Sequence, residues 1–248
     1  MFFLYTLIEY IEKNYIEKNS VEKRDYQINL ANQAMNENCV VVLPTGLGKT
    51  TIALHVIAEY LSKDSFGILF LAPTRVLVNQ HFEFLKKNLT IDDITLITGE
   101  DTVEKRTELW NSRIICATPE VARNDLNKKI ITSKQFSLVI FDEVHRTTGD
   151  YAYSTIAKHF EDTDTRLLGM TATLPSEQEK ATEILTRLKI SSVAERTENS
   201  PDVKPYIQET ETEWINVELP PELKLIQKFL KLSLDERYDA LRKNGLNL

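Results

Sequence analysis

The sequence lacks any excess of positive charge: 30 lysines and arginines stand against 37 aspartates and glutamates, a formal charge of −7. A strongly basic face is the usual electrostatic footprint of a nucleic-acid binder, so a tight, salt-insensitive grip on phosphates by this chain alone is not expected. Recognition itself stays open, because backbone N–H groups and helix N-termini hold phosphates without net charge. Cysteine is nearly absent. The two present, Cys39 and Cys116, lie inside the apolar runs CVVVL and IICA, as buried free thiols of a reducing compartment do. No apolar run reaches the roughly 20 residues that a membrane-spanning helix needs. The opening MFFLYTLIEY has no basic leader, meets Glu9 early and offers no small-residue cleavage site, so it does not read as a signal peptide. Internal repeats and low-complexity segments are missing as well. These absences lead us to expect a soluble, intracellular protein (cytoplasmic in a prokaryote) that makes no membrane contact. Its 248 residues, 42% of them hydrophobic, suffice for one large α/β domain and a smaller piece.

What is present is an alternation. Short apolar runs recur at Val40–Leu43, Ile68–Ala72, Ile94–Ile97, Ile114–Ala117, Leu138–Phe141 and Leu167–Met170. Several are continuously apolar, as strands covered on both faces are. Helical patterns separate most of them: Thr50–Ser62, Val76–Lys87, Pro119–Asn127, Ala152–Phe160 and Ser176–Leu188. Strand and helix in alternation predict a parallel sheet with right-handed crossovers and helices on both faces. Ligands of such sheets bind at the carboxyl ends of the strands. The polar clusters obey that rule. Successive runs lead into PTGLGKT, APTR, ATPE, DEVH and TAT, all on one predicted edge.

Pro44-Thr45-Gly46-Leu47-Gly48-Lys49-Thr50 follows a strand and opens a helix, the context of a phosphate-binding loop. Gly46 and Gly48 let the backbone curl so that N–H groups point inward at phosphate oxygens, and the helix adds its positive end. Thr45 and Leu47 complete the loop, Lys49 would reach the β/γ-phosphates, and the Thr50 hydroxyl would bind Mg²⁺. Leu43 stands where the usual pattern has glycine or alanine, at the last position of the strand, where a side chain can enter the core. Asp142-Glu143 supplies the second half: Asp142 would hold Mg²⁺ through water, and Glu143 would polarise the attacking water.

In order and spacing over residues 24–173, these segments resemble superfamily 2 helicases of the DEAH-box kind. PTGLGKT is similar to their motif I, APTRVLVNQ (72–80) to motif Ia, Thr98-Gly99 to the next DNA-contacting turn and ATPEVARNDL (117–126) to the DNA motif after it. DEVH (142–145) resembles the DEAH box with Val144 for the usual alanine, and Thr171-Ala172-Thr173 resembles motif III. Arg24-Asp25-Tyr26-Gln27 looks like the glutamine motif that reads adenine. FDEVHRTTGDYAYSTIA (141–157), ENSPDVKPY (198–206) and EWINVELPPELK (213–224) narrow the resemblance to archaeal Hef and its Fanconi anaemia M-type relatives, which act on forks and four-way junctions.

That resemblance implies a RecA-like domain using ATP and Mg²⁺, with branched or single-stranded DNA as partner. It implies that Gln27 accepts from and donates to adenine with Arg24 and Tyr26 supporting the base, and that His145 couples the ATP site to Thr171 and Thr173. It implies that Pro73, Thr74, Arg75, Thr98, Gly99, Thr118 and Pro119 touch one strand's sugar-phosphate backbone, a contact that positions without reading sequence. Tyr151 and Tyr153 are expected in or beside the core, without a ligand. Residues 1–200 are expected to form helicase domain 1. NSPDVKPY reads as a linker, Ile215, Val217 and Leu219 as a strand, and the stripe Leu223, Ile226, Phe229, Leu230 and Leu234 as a helix beginning a helical insert, with the chain ending before a second motor domain. Two rivals share these motifs: a duplex-RNA-dependent motor of the Dicer or RIG-I-like kind, and a nucleotide-switched scaffold without turnover. Intact Lys49, Thr50, Asp142 and Glu143 weigh against the scaffold.

Overall fold

The computed structural model describes residues 9–147, 151–207, 215 and 217–243, leaving aside the side chains of Arg146, Thr147 and Tyr151. The expected packing of Tyr151 and part of the acidic-aromatic stretch (208–214) therefore lie outside the described residues. The chain divides into two compact units, 1–207 and 208–248.

In the first unit the described residues form a parallel sheet of β1 (Cys39–Val42), β2 (Gly67–Leu71), β3 (Ile94–Ile97), β4 (Ile114–Ala117), β5 (Phe136–Phe141), β6 (Arg166–Thr171) and β7 (Ser192–Glu195), in the order β3-β4-β2-β5-β6-β1-β7. Pairing is parallel throughout, with Leu71 opposite both Ala117 and Phe141, and Val42 opposite Thr171. All strands therefore end on one edge.

Side-chain alternation divides the core in two. Val41, Ile68, Phe70, Cys116, Ile140 and Met170 face one way, against α1 (Asp25–Asn36), α2 (Lys49–Lys63) and α3 (Arg75–Asn88). Val42, Leu69, Leu71, Ile115, Val139 and Phe141 face the other, against α5 (Pro119–Asn127), α6 (Tyr151–His159) and α7 (Gln178–Arg187). The short α4 (Val103–Leu109) buries no residue of its own. Both cysteines are free and buried, and burial pushes both thiols up from their ordinary pKa. No described helix is long and apolar enough to cross a membrane.

Gly169, mid-strand in β6, is needed for close approach. A Cβ there would meet Ile190, Val144 and Val40 at 3.0–3.2 Å. The valine that replaces the usual alanine of the box thus occupies space which a glycine on the neighbouring strand leaves open.

Two expectations differ from the structure. The segment NSPDVKPY (199–206), read as a linker, belongs to the first unit: Val203 is fully buried, and the Tyr206 ring lies 5.5 Å from that of Tyr26. Valine and tyrosine among the prolines supply apolar surface that packs rather than spans. In the second unit, Ile215, Val217 and Leu219 are exposed and lie in no strand. A strand requires a partner, and among the described residues none is alongside. The helix after Pro220 is present as α8 (Pro221–Lys243), with its apolar stripe exposed.

One buried group is expected to make the first unit acid-sensitive. His55 on α2 is 4% exposed, and among the described residues its Nε2 has no hydrogen-bond partner. Burial, aided by the charge of Lys13, lowers its pKa to about 4. As pH falls through the unfolded value near 6.5, the unfolded chain takes up a proton that the folded chain refuses. The stability present above pH 6.5 should then be lost at up to about 1.4 kcal/mol per pH unit, down to the folded value. Urea melts between pH 7.5 and 4.5 should show this slope, and His55→Leu should flatten it.

Candidate nucleotide and nucleic-acid site

The phosphate loop owes its shape to two glycines. Gly46 and Gly48 both have φ +84°, a conformation that side-chain-bearing residues rarely adopt. Gly48 is also the N-cap of α2, so the loop closes directly onto a helix start. A Cβ at Gly48 would collide with Gln27 Nε2. Leu43, the departure from the usual pattern, is fully buried, and its N–H bonds Thr171 O at 3.0 Å.

The glutamine motif grips this loop. Tyr26 Oη donates to Leu47 O at 2.7 Å, and Gln27 Nε2 donates to the same carbonyl at 3.0 Å and to Tyr26 Oη at 3.3 Å. Tyr26 is fully buried and holds the loop rather than facing a base. Here the Gln27 amide nitrogen bonds within the protein, whereas the motif implies donation to adenine. The Gln27 Oε1 is buried with no partner among the described residues, an acceptor of the kind that an adenine amino group would satisfy. Arg24 pairs with Glu22 at 3.1 Å and lies 5.2 Å from the centre of the Tyr206 ring.

From Lys49 a hydrogen-bonded path crosses the strand ends. Lys49 Nζ donates to Leu43 O at 3.0 Å, and Leu43 N to Thr171 O. Thr171 Oγ1 lies 3.0 Å from His145 Nδ1, which is 3.1 Å from Glu143 Oε2. Thr171 Oγ1 also donates to Thr173 O at 2.8 Å. Glu143 has φ 54°. That left-handed backbone, uncommon for a non-glycine residue, turns its side chain off the line of β5.

Asp142 is 4% exposed and firmly tied. Its N–H bonds Leu71 O at 2.9 Å, its carbonyl accepts from Tyr153 Oη at 2.8 Å, and its Oδ2 lies 2.7 Å from His81 Nε2. Tyr153 is buried, as expected. His81 on α3 went unnoticed in the sequence.

Among the described residues no cluster of three or more metal-ligating side chains exists. One hydroxyl (Thr50) and one carboxylate (Asp142) suit magnesium, which keeps several waters and takes its remaining oxygens from substrate phosphates. The orphaned Gln27 oxygen, the curled loop and this sparse donor set fit a Mg²⁺-nucleotide.

The residues expected to contact nucleic acid follow β2, β3 and β4, neighbours on the other half of the sheet. Thr74, Arg75 and Gly99 are exposed, and Pro73 and Thr98 are half-buried. Thr118 and Pro119 are buried at the start of α5, which leaves their side chains little to offer a strand. Arg75 forms an ion pair with Glu100. The turns are braced against each other. Asp101 Oδ2 accepts from Thr98 N at 2.9 Å, and Arg106 Nη1 donates to Asp101 O at 2.7 Å. Arg106 makes a bidentate pair with the fully buried Asp125 at 2.7 and 2.9 Å, and Trp110 Nε1 donates to the same carboxylate at 2.9 Å. The Lys105 hydrogen bond, ahead of the one from Thr98, holds the Asp101 carboxyl below its ordinary pKa.

Among known proteins, one of Methanocaldococcus jannaschii, provisionally named an ATP-dependent RNA helicase, is 42% identical over 226 residues, covering 90% of this chain and 29% of that protein. The ATP-dependent DNA helicase MPH1 of Saccharomyces cerevisiae is 35% identical over 239 residues, covering 90% and 24%. The chain thus spans less than a third of the length of these curated relatives. The crystal structure of the Pyrococcus furiosus Hef helicase domain superposes with a TM-score of 0.75 at 37% identity, over 90% of this chain and 48% of that one. A DEAD box protein from Methanococcus jannaschii (TM-score 0.61, 20% identity, 73% of this chain and 51% of that one) shares the fold, a RecA-like helicase domain. The pattern of the DEAD/DEAH box helicases matches residues 24–181, more than half of the chain, and this chain belongs to that family.

Proposed function

We propose that the chain is the ATP-binding half of a DNA helicase or translocase motor working on branched DNA in repair. The path of hydrogen bonds from Lys49 through Leu43 and Thr171 to His145, with Glu143 3.1 Å beyond, supports this reading most directly, because it links on one sheet edge the groups that ATP hydrolysis would use. Thr45, Gly46, Leu47, Gly48 and Lys49 would cradle the phosphates, with Arg24 and Gln27 at the base. Thr50 and Asp142 would hold Mg²⁺, which when bound neutralises charge developing on the β- and γ-phosphate oxygens. Glu143 would orient the attacking water, and His145 would report its state to Thr171 and Thr173. Pro73, Thr74, Arg75, Thr98, Gly99, Thr118 and Pro119 would line the strand's track, the last two through backbone N–H groups at a helix start. Residues 208–248 would lead from this domain into a helical insert.

Superfamily 2 motors close ATP between two RecA-like domains, and the second supplies arginines worth roughly 10³–10⁵ in rate. The 248-residue chain is therefore expected to bind Mg²⁺–ATP and to hydrolyse it poorly. A binding titration beside a turnover assay with fork DNA checks this. Brisk DNA-stimulated turnover would remove the need for a second domain, and failure to bind ATP would sink the motor reading. The RNA helicase name of one relative keeps a duplex-RNA motor as the second reading. Competition between fork DNA and duplex RNA for the chain decides between them.

A further inference from the structure

The strand ends divide the work. Turns after β3, β4 and β2 face the proposed nucleic-acid track, and those after β5, β6 and β1 the nucleotide, so the β2–β5 seam joins the halves. One side-chain pair crosses that seam under cover. Val78, His81 and Leu85 form the buried face of α3, and a titratable residue on such a stripe needs a partner. His81 lies against Phe70 of β2, ring centres 4.5 Å apart, and meets Asp142 at the end of β5 at 2.7 Å. The two side chains are 10% and 5% exposed.

Asp142 has its backbone fixed by Leu71 and Tyr153, which leaves rotation of its carboxylate as the remaining freedom. His81 takes Oδ2, and among the described residues no hydrogen bond engages Oδ1. We propose that His81 is a positioning residue, orienting the Asp142 carboxylate to receive Mg²⁺–ATP. It acts from α3, whose first residue, Arg75, is about 9 Å away along the same rigid helix. The proposal rests on Asp142 serving Mg²⁺–ATP as set out above.

The test measures binding of a fluorescent ATP analogue to the 248-residue chain across a magnesium titration and in EDTA, with Asp142→Asn as reference. Groups that orient metal ligands are typically worth about 10–100-fold in metal affinity. His81→Leu and His81→Asn, whose amide is too short to reach, should raise the half-saturating magnesium by about that factor and leave binding in EDTA unchanged. His81→Gln, which places an amide nitrogen near the Nε2 position, should restore the wild-type dependence. Unchanged magnesium dependence in the Leu and Asn variants overturns the proposal. So does an equal loss with and without magnesium, which marks plain packing. Should the Leu variant not fold, the Asn and Gln pair decides in the same way. A wild-type chain indifferent to magnesium, matched by Asp142→Asn, would instead bring down the motor reading and this proposal with it.

Discussion

Lys49→Ala is expected to weaken Mg²⁺–ATP binding by at least about a hundredfold, roughly 2.7 kcal/mol, while the domain stays folded. Lys49 alone in the loop brings a full positive charge to the phosphates, and charge-assisted bonds to phosphate are the strong ones. In the fold its ammonium has a modest part, one partly buried bond to Leu43 O. Losing such a bond costs about 1 kcal/mol, or roughly 2–4 °C in Tm for a domain of this size. Isothermal titration beside a thermal melt separates the two effects. ATP affinity that survives the change would contradict the phosphate-loop assignment.

The second large effect belongs to Asp125, on the helix that follows β4. Asp125→Ala is expected to destabilise the first unit by about 3–5 kcal/mol, because it strands Arg106 and the Trp110 indole N–H in a buried site. Tm should fall by roughly 6–20 °C. Asp125→Asn, which keeps the shape and one acceptor oxygen, should cost less. Because Arg106 also holds the turn that carries Thr98, any Asp125→Asn protein that folds should bind single-stranded DNA more weakly with its ATP affinity unchanged. Melts and a fluorescence-anisotropy titration test both halves. An alanine variant as stable as the wild type would show that the network adds nothing net.

Most of the sheet was legible because its strands are covered on both faces. Ile114–Ala117 and Ile94–Ile97 match the expected runs, and the others differ by one or two residues at their ends. β7 escaped notice because Ser192–Glu195 is an edge strand with one buried residue, Ala194, and no apolar run to announce it. The strap before α1, which seats Ile11 and Ile16 in the core, has no period either. Within the site, the loop, the acidic pair and the threonines stood out, because curled backbone and charge after a strand leave a chemical signature. His81 and Asp125 left only a faint one. Each interrupts the apolar stripe of its helix, between Val78 and Leu85 and between Ala122 and Leu126. That clue points to a buried partner without saying which one, and the partners come from other elements. The commitment of Gln27 to Leu47 was beyond reading, since it depends on where a loop 20 residues away comes to rest.

The seam between β2 and β5 has a consequence for how such a protein diversifies. On the proposed reading, fuel chemistry would sit on one side and grip on the other, joined through the buried His81–Asp142 contact. The turns beyond β3 and β4 are thus free to drift toward another polymer without retuning the furnace. That separation gives a mechanical reason why one scaffold serves proteins named for DNA and for RNA alike.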